Sequence, residues 1–156
     1  MTVPDDITVD PSEVDPQYRF VVALQAKLPA GVAVNAASHL CLGLVARAAA
    51  ERPALVPKMS FLDFTDADGG NHAPISALSL VVLEGRPAWV RRLREAARLG
   101  DLLYTDFTAE MTGGTFADQL DRIGKTSAED LDYYGVAVFG KRSELDVLTK
   151  KFSLLR

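Results

Sequence analysis

The chain has 156 residues, of which 48% are hydrophobic and 24% charged, and this length and composition suit one domain with a substantial core. The formal net charge of −4 argues against broad, sequence-independent binding of nucleic acid, which needs a dense array of lysines and arginines. The single cysteine, Cys41, excludes an intramolecular disulfide and a metal cage built from the cysteines of one chain.

The first seventeen residues are acidic and contain three prolines, Pro4, Pro11 and Pro16. This composition resists helix formation and lacks residues that build a core. We therefore expect residues 1–17 to form an acidic, loosely ordered N-terminal arm, followed by a single domain over residues 18–156. The start of the chain lacks a secretory signal pattern, and no apolar run approaches the roughly twenty residues of a membrane span. These features favour a cytoplasmic protein that does not contact a membrane.

The first predicted unit is a strand, a turn and a helix. The apolar run 20–24 predicts the strand, Pro29 to Gly31 predict the turn, and residues from about 33 to 51 predict a helix that is apolar nearly all round. Such a helix is typical of one packed closely on a sheet. Because open α/β folds bind ligands where strands end and helices begin, this unit is the first place to look for a site.

The remaining elements alternate between strands and helices. Residues 59–64 and the following glycines predict a hairpin, and 79–83 predict a buried central strand. Further patterns predict a helix at 87–99, a strand at 101–107, a short helix at 116–123, a strand at 134–139 and a final helix that begins at Ser143. The order predicts an α/β fold, in which a mixed, mostly parallel sheet lies between helices in a three-layer α/β/α sandwich.

Three pairs of segments resemble the archaeal and eukaryotic type of peptidyl-tRNA hydrolase, the type 2 fold. They are Phe20-Val-Val-Ala-Leu24 with Ala37-Ser38-His39, Leu80-Val-Val-Leu83 with Gly100-Asp-Leu102, and Gly135-Val-Ala-Val-Phe-Gly140 with the helix and Leu-rich tail after it. As a whole, the chain most resembles a bacterial branch, the DUF2000 family of unknown function. The segments that carry this second resemblance are residues 64–70, 106–115 and 133–135.

The resemblance implies a cleft with catalytic residues at His39 and Asp106. A histidine suits general base chemistry or hydrogen bonding near neutral pH, although His39 could equally fill space between helix and sheet. The lysine that the hydrolases carry seven residues before this histidine is replaced by Val32, which can neither bind phosphate nor polarise a carbonyl. Lys27 is the nearest lysine in the sequence.

A ligand-binding set is expected around this cleft. The backbone of residues 112–115 opens a helix and carries two hydroxyls, so it could cradle a phosphate or carboxylate, or it could be an ordinary capped loop. The expected ligand-binding residues are Asn35, Ser38, Thr108, Thr112, Gly113, Gly114 and Thr115.

Two further patterns have competing interpretations. The string Asp66, Asp68 and His72 could supply metal ligands, but the glycines after Asp68 favour a tight turn, and no metal or cofactor is assigned. The arginines between residues 86 and 98 could meet an anionic partner, or they could form a solvated surface.

These observations predict a small protein that binds a small or anionic ligand in a cleft near His39. The alternative is a peptidyl-tRNA hydrolase of altered mechanism; tRNA is a possible but not favoured partner, and any enzymatic activity would be hydrolytic. A homodimer is also expected, because the resemblance implies one and because apolar helix faces and a strand edge are predicted to be exposed.

Overall fold

A computed structural model describes residues 7–72 and 74–156 of the chain. Within these residues the helices are α1 (Ala30–Glu51), α2 (Pro87–Leu99), α3 (Phe116–Lys125) and α4 (Arg142–Thr149). The strands are β1 (Tyr18–Gln25), β2 (Phe61–Leu62), β3 (Ile75–Ser76), β4 (Leu80–Gly85), β5 (Leu103–Thr108), β6 (Tyr133–Lys141) and β7 (Ser153–Leu154). The alternation of strands and helices matches the predicted α/β class.

Five strands form one mixed sheet in the order β5-β6-β1-β4-β7, while β2 and β3 form a separate antiparallel pair. Only β1 and β4 pair in parallel within the five-stranded sheet; its other pairings are antiparallel. The expectation of a mostly parallel sheet is therefore wrong for strand pairing. Strand β6 inserts between β1 and β5 and runs opposite to both. Apolar runs could not reveal this, because a buried strand has the same pattern in either direction.

The two faces of the five-stranded sheet carry different helices. Helix α1 packs on one face, and α2 and α4 pack on the other. The α1 side is built from residues that include Phe20, Val22, Leu24, Ala36, Leu40, Leu44, Leu103, Phe107 and Phe139. The opposite side includes Val21, Ala23, Leu83, Leu93, Ala97, Val138 and Leu145. Consecutive residues of a strand point to opposite faces of the sheet. Two residues that are adjacent in sequence within β1, or within β5, therefore pack on different sides of the molecule.

A glycine lets α1 approach the sheet centre. A Cβ atom at Gly135 would lie 2.8 Å from side-chain carbons of both Leu24 and Leu40, and 3.1 Å from the carbonyl oxygen of Ala23. These distances are shorter than ordinary van der Waals contact. The absence of a side chain at Gly135 therefore permits the observed spacing of β1, β6 and α1.

The described part of the acidic arm, residues 7–17, differs from the loose segment expected from its composition. Asp10 caps a 3-10 helix at Pro11–Glu13 through a reciprocal bond pattern with Glu13, and Thr8 bridges to Phe61. The hydrogen bonds from Ser12 hold the pKa of the Asp10 carboxyl below its usual value. The apolar side chains of Ile7 and Val14 pack against the core. The many acidic residues and prolines around them did not predict this contact. The rest of the predicted arm, residues 1–6, lies outside the described residues.

Among the described helices, α1 is long and apolar enough to cross a membrane by length and composition alone. One side of it is buried against the sheet through Ala33, Ala36, Leu40, Leu44 and Ala48. The core helix of a soluble domain has the same properties, so this feature is weak evidence for a membrane span.

Candidate functional site

His39 lies on the exposed side of α1, in its third turn. Its imidazole ring stacks on Phe107 of β5, with ring centroids 5.5 Å apart and an interplanar angle of 11°. The nearby Ser38 hydroxyl donates to the carbonyl oxygen of Val34 at 2.8 Å, within the same helix. Asn35 is exposed on α1. His39 is thus an exposed residue whose ring covers a core phenylalanine, while its role as a general base stays a prediction.

Asp106 lies on the opposite face of the sheet from His39. Its carboxylate Oδ2 accepts a hydrogen bond from Nε of Arg94 on α2 at 2.9 Å. Since Phe107, the next residue, contacts His39 on the α1 side, the strand directs the two predicted catalytic side chains apart. The expectation of one cleft shared by His39 and Asp106 is therefore wrong.

The Arg94 guanidinium, which pairs with Asp106, also contacts two tyrosine rings. It lies 5.8 Å from the ring centroid of Tyr104 and 5.4 Å from that of Tyr133. Burial opposes its charge, but the hydrogen bond and attraction of Asp106 outweigh burial and raise the pKa of Arg94. Asp106 acts here as the counterion of a partly buried arginine.

The predicted anion cradle at residues 112–115 is occupied by the protein's own carboxylate. Thr115 caps α3, and its backbone N–H and hydroxyl both donate to Asp118 Oδ2 at 2.8 Å. These bonds, the backbone bond first, lower the pKa of the Asp118 carboxyl. Gly113 and Gly114 have φ of 69° and 67°, which glycine adopts without strain. An external anion would have to displace Asp118, so the capped-loop interpretation describes this segment better.

The Thr112 hydroxyl is hydrogen-bonded within the protein, and Thr108 is buried. The Thr112 hydroxyl donates to the carbonyl oxygen of Ala109 at 2.6 Å. Thr108 is fully buried beside the irregular pairing of β5 with β6, and its Oγ1 has no hydrogen-bond partner among the described residues. Neither hydroxyl faces an open site in this conformation.

Asp66, Asp68 and His72 form a turn. Asp66 Oδ1 accepts the backbone N–H groups of Asp68 at 2.9 Å and Gly70 at 2.8 Å, while its Oδ2 lies 2.7 Å from Nε2 of His72. The hydrogen bond from His72 and then those from the backbone lower the pKa of Asp66. In the part of the chain that the structure describes, no three potential metal-ligating side chains cluster.

A crevice of about 290 Å³ lies where the parallel strands β1 and β4 end. Gln25 and Glu84 line it from the two strands, the first turn of α1 forms one wall, and Leu155 and Arg156 cover it from the C-terminal tail. Gln25 is fixed there, because its side-chain amide donates to Asp132 at 3.1 Å. The crevice therefore occupies the strand-end position that open α/β folds use for ligands.

The start of α1, whose residue Ala30 lines this crevice, has uncapped backbone donors. Its N-cap residue, Pro29, makes no side-chain capping bond, and its first turn contains no acidic residue. The N–H groups of the first three helical residues have no partner one turn earlier in the helix, and the helix dipole is positive there. Lys27, which also lines the crevice, has a φ of 67°, a backbone conformation that is uncommon for a side chain of its kind.

Sequence reasoning pointed to the strand, turn and helix that form this crevice, but the site residues that it named do not line the crevice. It placed the site at His39, nine residues after the helix begins, whereas the crevice lies at the first turn. Lys27 was named only as the nearest lysine, and Glu84 and Arg156 were missed. The available sequence signal was that Gln25 and Glu84 directly follow the apolar runs 20–24 and 80–83, and the parallel pairing of β1 with β4 brings them to one end of the sheet.

Comparisons with known proteins identify a family and a fold. No curated protein matches the sequence significantly. A solved structure of a protein of unknown function from Agrobacterium tumefaciens strain C58, Atu0240, aligns with a TM-score of 0.74 at 20% sequence identity; the alignment covers 90% of this chain and 98% of that one. The family model for DUF2000, described as a protein of unknown function, matches residues 18–156. The chain therefore belongs to the DUF2000 family.

Proposed function

We propose that this protein binds a small anionic molecule in the crevice at the start of α1. The observation that carries the proposal is the uncapped helix N-terminus beside Lys27 and Arg156, at the end of two parallel strands. Backbone N–H groups and the positive end of a helix dipole favour a carboxylate or a phosphate. The two cationic side chains add attraction for the same kind of group.

Glu84 narrows the ligand class, because its carboxylate lines the same crevice. Its negative charge weakens the attraction that Lys27 and Arg156 exert on a simple anion such as phosphate. A molecule with an anionic group toward Lys27 and a hydroxyl or amino group toward Glu84 satisfies both ends. We therefore propose a small hydroxy or amino acid, or a phosphorylated equivalent, as the ligand class.

The finer expectations from the sequence belong to this proposal. The placement of helices on both faces of the sheet supports a three-layer sandwich. That this sandwich is of the peptidyl-tRNA hydrolase type, and that the protein is a cytoplasmic homodimer, are proposals that rest on the sequence. Hydrolysis of peptidyl-tRNA stays an alternative prediction. Its expected catalytic pair, His39 and Asp106, does not share a face of the sheet.

Thermal unfolding in the presence of phosphate, acetate, hydroxy acids and amino acids tests the proposal. A ligand at a hundredfold excess over its Kd should raise Tm by on the order of 5–10 °C. Lys27→Gln should weaken this effect, whereas Lys141→Gln, which removes another exposed lysine, should leave it unchanged. Lys27→Gly provides a folding control, because glycine relieves the positive φ. If every ligand acts equally on the wild type and on both Lys27 variants, the proposal is wrong.

A further inference from the structure

A second cavity lies between α2 and α4, on the opposite side of the sheet from α1. It has a volume of about 360 Å³, and its apolar surface comes from residues that include Trp89, Leu93, Leu148 and Phe152. Trp89 and Phe152 meet edge to face, with ring centroids 6.0 Å apart. This volume is at the lower end of the range of about 300–1,000 Å³ found for small-molecule sites, which are also mainly apolar and aromatic.

A glycine keeps the aromatic pair in place below this groove. A Cβ atom at Gly85 would lie 2.6 Å from a ring carbon of Phe152 and 3.1 Å from one of Trp89. The end of β4 thus leaves room for both rings to pack directly against the backbone. The groove has a built floor rather than a chance gap between surface side chains.

Three cations, Arg92, Lys150 and Lys151, surround the apolar floor. None of them makes an ion pair within the described ranges, although the arginines on the same helix at 94 and 98 do. Arg86 lies over the Trp89 ring at 5.2 Å, and Arg91 donates to the carbonyl oxygens of Ala128 and Leu131. Most of the arginines between residues 86 and 98 thus contact other groups of the protein, whereas Arg92 lines the groove.

We propose that this groove binds an amphiphilic carboxylate, a molecule with an apolar chain or ring and one terminal carboxylate. The apolar end fits the aromatic floor, and the carboxylate meets the unpaired cations at the rim. Charge complementarity favours this class, because three cations that make no ion pair among the described residues line this cavity, on a chain whose net charge is −4. The apolar surface lies inside a cavity sized for one small molecule.

Tryptophan fluorescence gives a direct test, because Trp89 is the only tryptophan of the chain. The probe is decanoate below its micelle concentration, compared with decanol and with decyltrimethylammonium. We expect a saturable change in Trp89 emission with decanoate, and binding about tenfold weaker for decanol and weaker still for the cation. Equal binding of all three, or no saturable change with decanoate, would overturn the proposal.

Two matched double variants separate the effect of the lysines at the rim from the effect of a general loss of positive charge. Lys150→Gln with Lys151→Gln should remove most of the preference for decanoate over decanol, while Lys141→Gln with Arg142→Gln removes the same charge elsewhere and should preserve it. Ala96→Phe, placed in the groove wall, should block the binding of decanoate and of decanol, with folding checked by circular dichroism. Unchanged decanoate binding in the folded Ala96→Phe protein would contradict the assignment, as would cosedimentation of the protein with anionic phospholipid vesicles in place of binding to free decanoate.

Discussion

At the scale of single residues, the geometry assigns the predicted catalytic carboxylate a structural role. Asp106 is paired with Arg94, whose guanidinium also lies over Tyr104 and Tyr133. The side chains of Asp106 and Arg94 are about one-fifth exposed, at 21% and 23%, so water screens the attraction between their charges only in part. Removing one partner of such a pair costs more than the bond itself contributes, because the other charge stays partly buried.

We predict that Asp106→Asn lowers the free energy of unfolding by about 1–3 kcal/mol, measured by urea denaturation. The matched control is Arg98→Gln, which breaks the exposed pair between Arg98 and Glu95. Exposed pairs contribute little, so the control should change stability much less. Equal effects of the two substitutions would show that the Asp106 pair has no special structural role.

At the scale of elements, α3 is the least anchored helix of the described chain. None of its residues is buried, and two large apolar side chains, Phe116 and Leu120, are 78% and 66% exposed. Its start depends instead on the reciprocal capping bonds between Thr115 and Asp118. A helix held by its cap rather than by packing should open at a lower free-energy cost than α1.

The capping bonds make the start of α3 sensitive to acid. Because the pKa of Asp118 is lowered in the folded protein, its contribution is complete above the unfolded value of about 3.9 and is lost as pH falls through the folded pKa. Between pH 6 and 2, NMR should therefore show the α3 backbone shifts moving toward coil values, while those of α1 change less. In Asp118→Asn this pH dependence should disappear. Equal acid sensitivity of α3 in the variant would contradict the assignment.

The elements also show which parts of the structure could be predicted. The apolar run 80–83 predicted β4, and the regular spacing of apolar residues in 87–99 predicted α2, because buried elements have recognisable patterns of apolar residues. These patterns cannot reveal which strands become neighbours. The insertion of β6 between β1 and β5 depends on long-range pairing, so the placement of Asp106 away from His39 could not be derived from local pattern.

At the scale of the whole molecule, the crevice at the start of α1 and the groove between α2 and α4 belong to one α/β fold built around β1. One face of its sheet packs on α1, and the other packs on α2 and α4. Leu40 of α1 packs directly over Gly135 of β6. The position of the α1 start, and hence the crevice beside it, depends on this close packing.

We predict that Gly135→Ala destabilises the whole fold by about 1–3 kcal/mol, since the added carbon must displace Leu24, Leu40 or backbone. Gly140→Ala, in the same strand, is the control. The nearest atom to its added carbon would be at 3.5 Å, an ordinary contact, so its stability should stay within about 1 kcal/mol of the wild type. Thermal and urea unfolding of both variants measure the difference, and similar losses would refute the packing argument.

The most direct test of the proposed crevice is an NMR titration of the 15N-labelled protein with inorganic phosphate. The proposal predicts that the largest amide shifts occur at Ala30, Gly31 and Val32, the first turn of α1, and that they weaken in Lys27→Gln. The amides of residues 113–115, whose helix start already holds Asp118, should shift little. If phosphate instead perturbs residues 113–115, or leaves the start of α1 unaffected, the proposed ligand-binding crevice is contradicted.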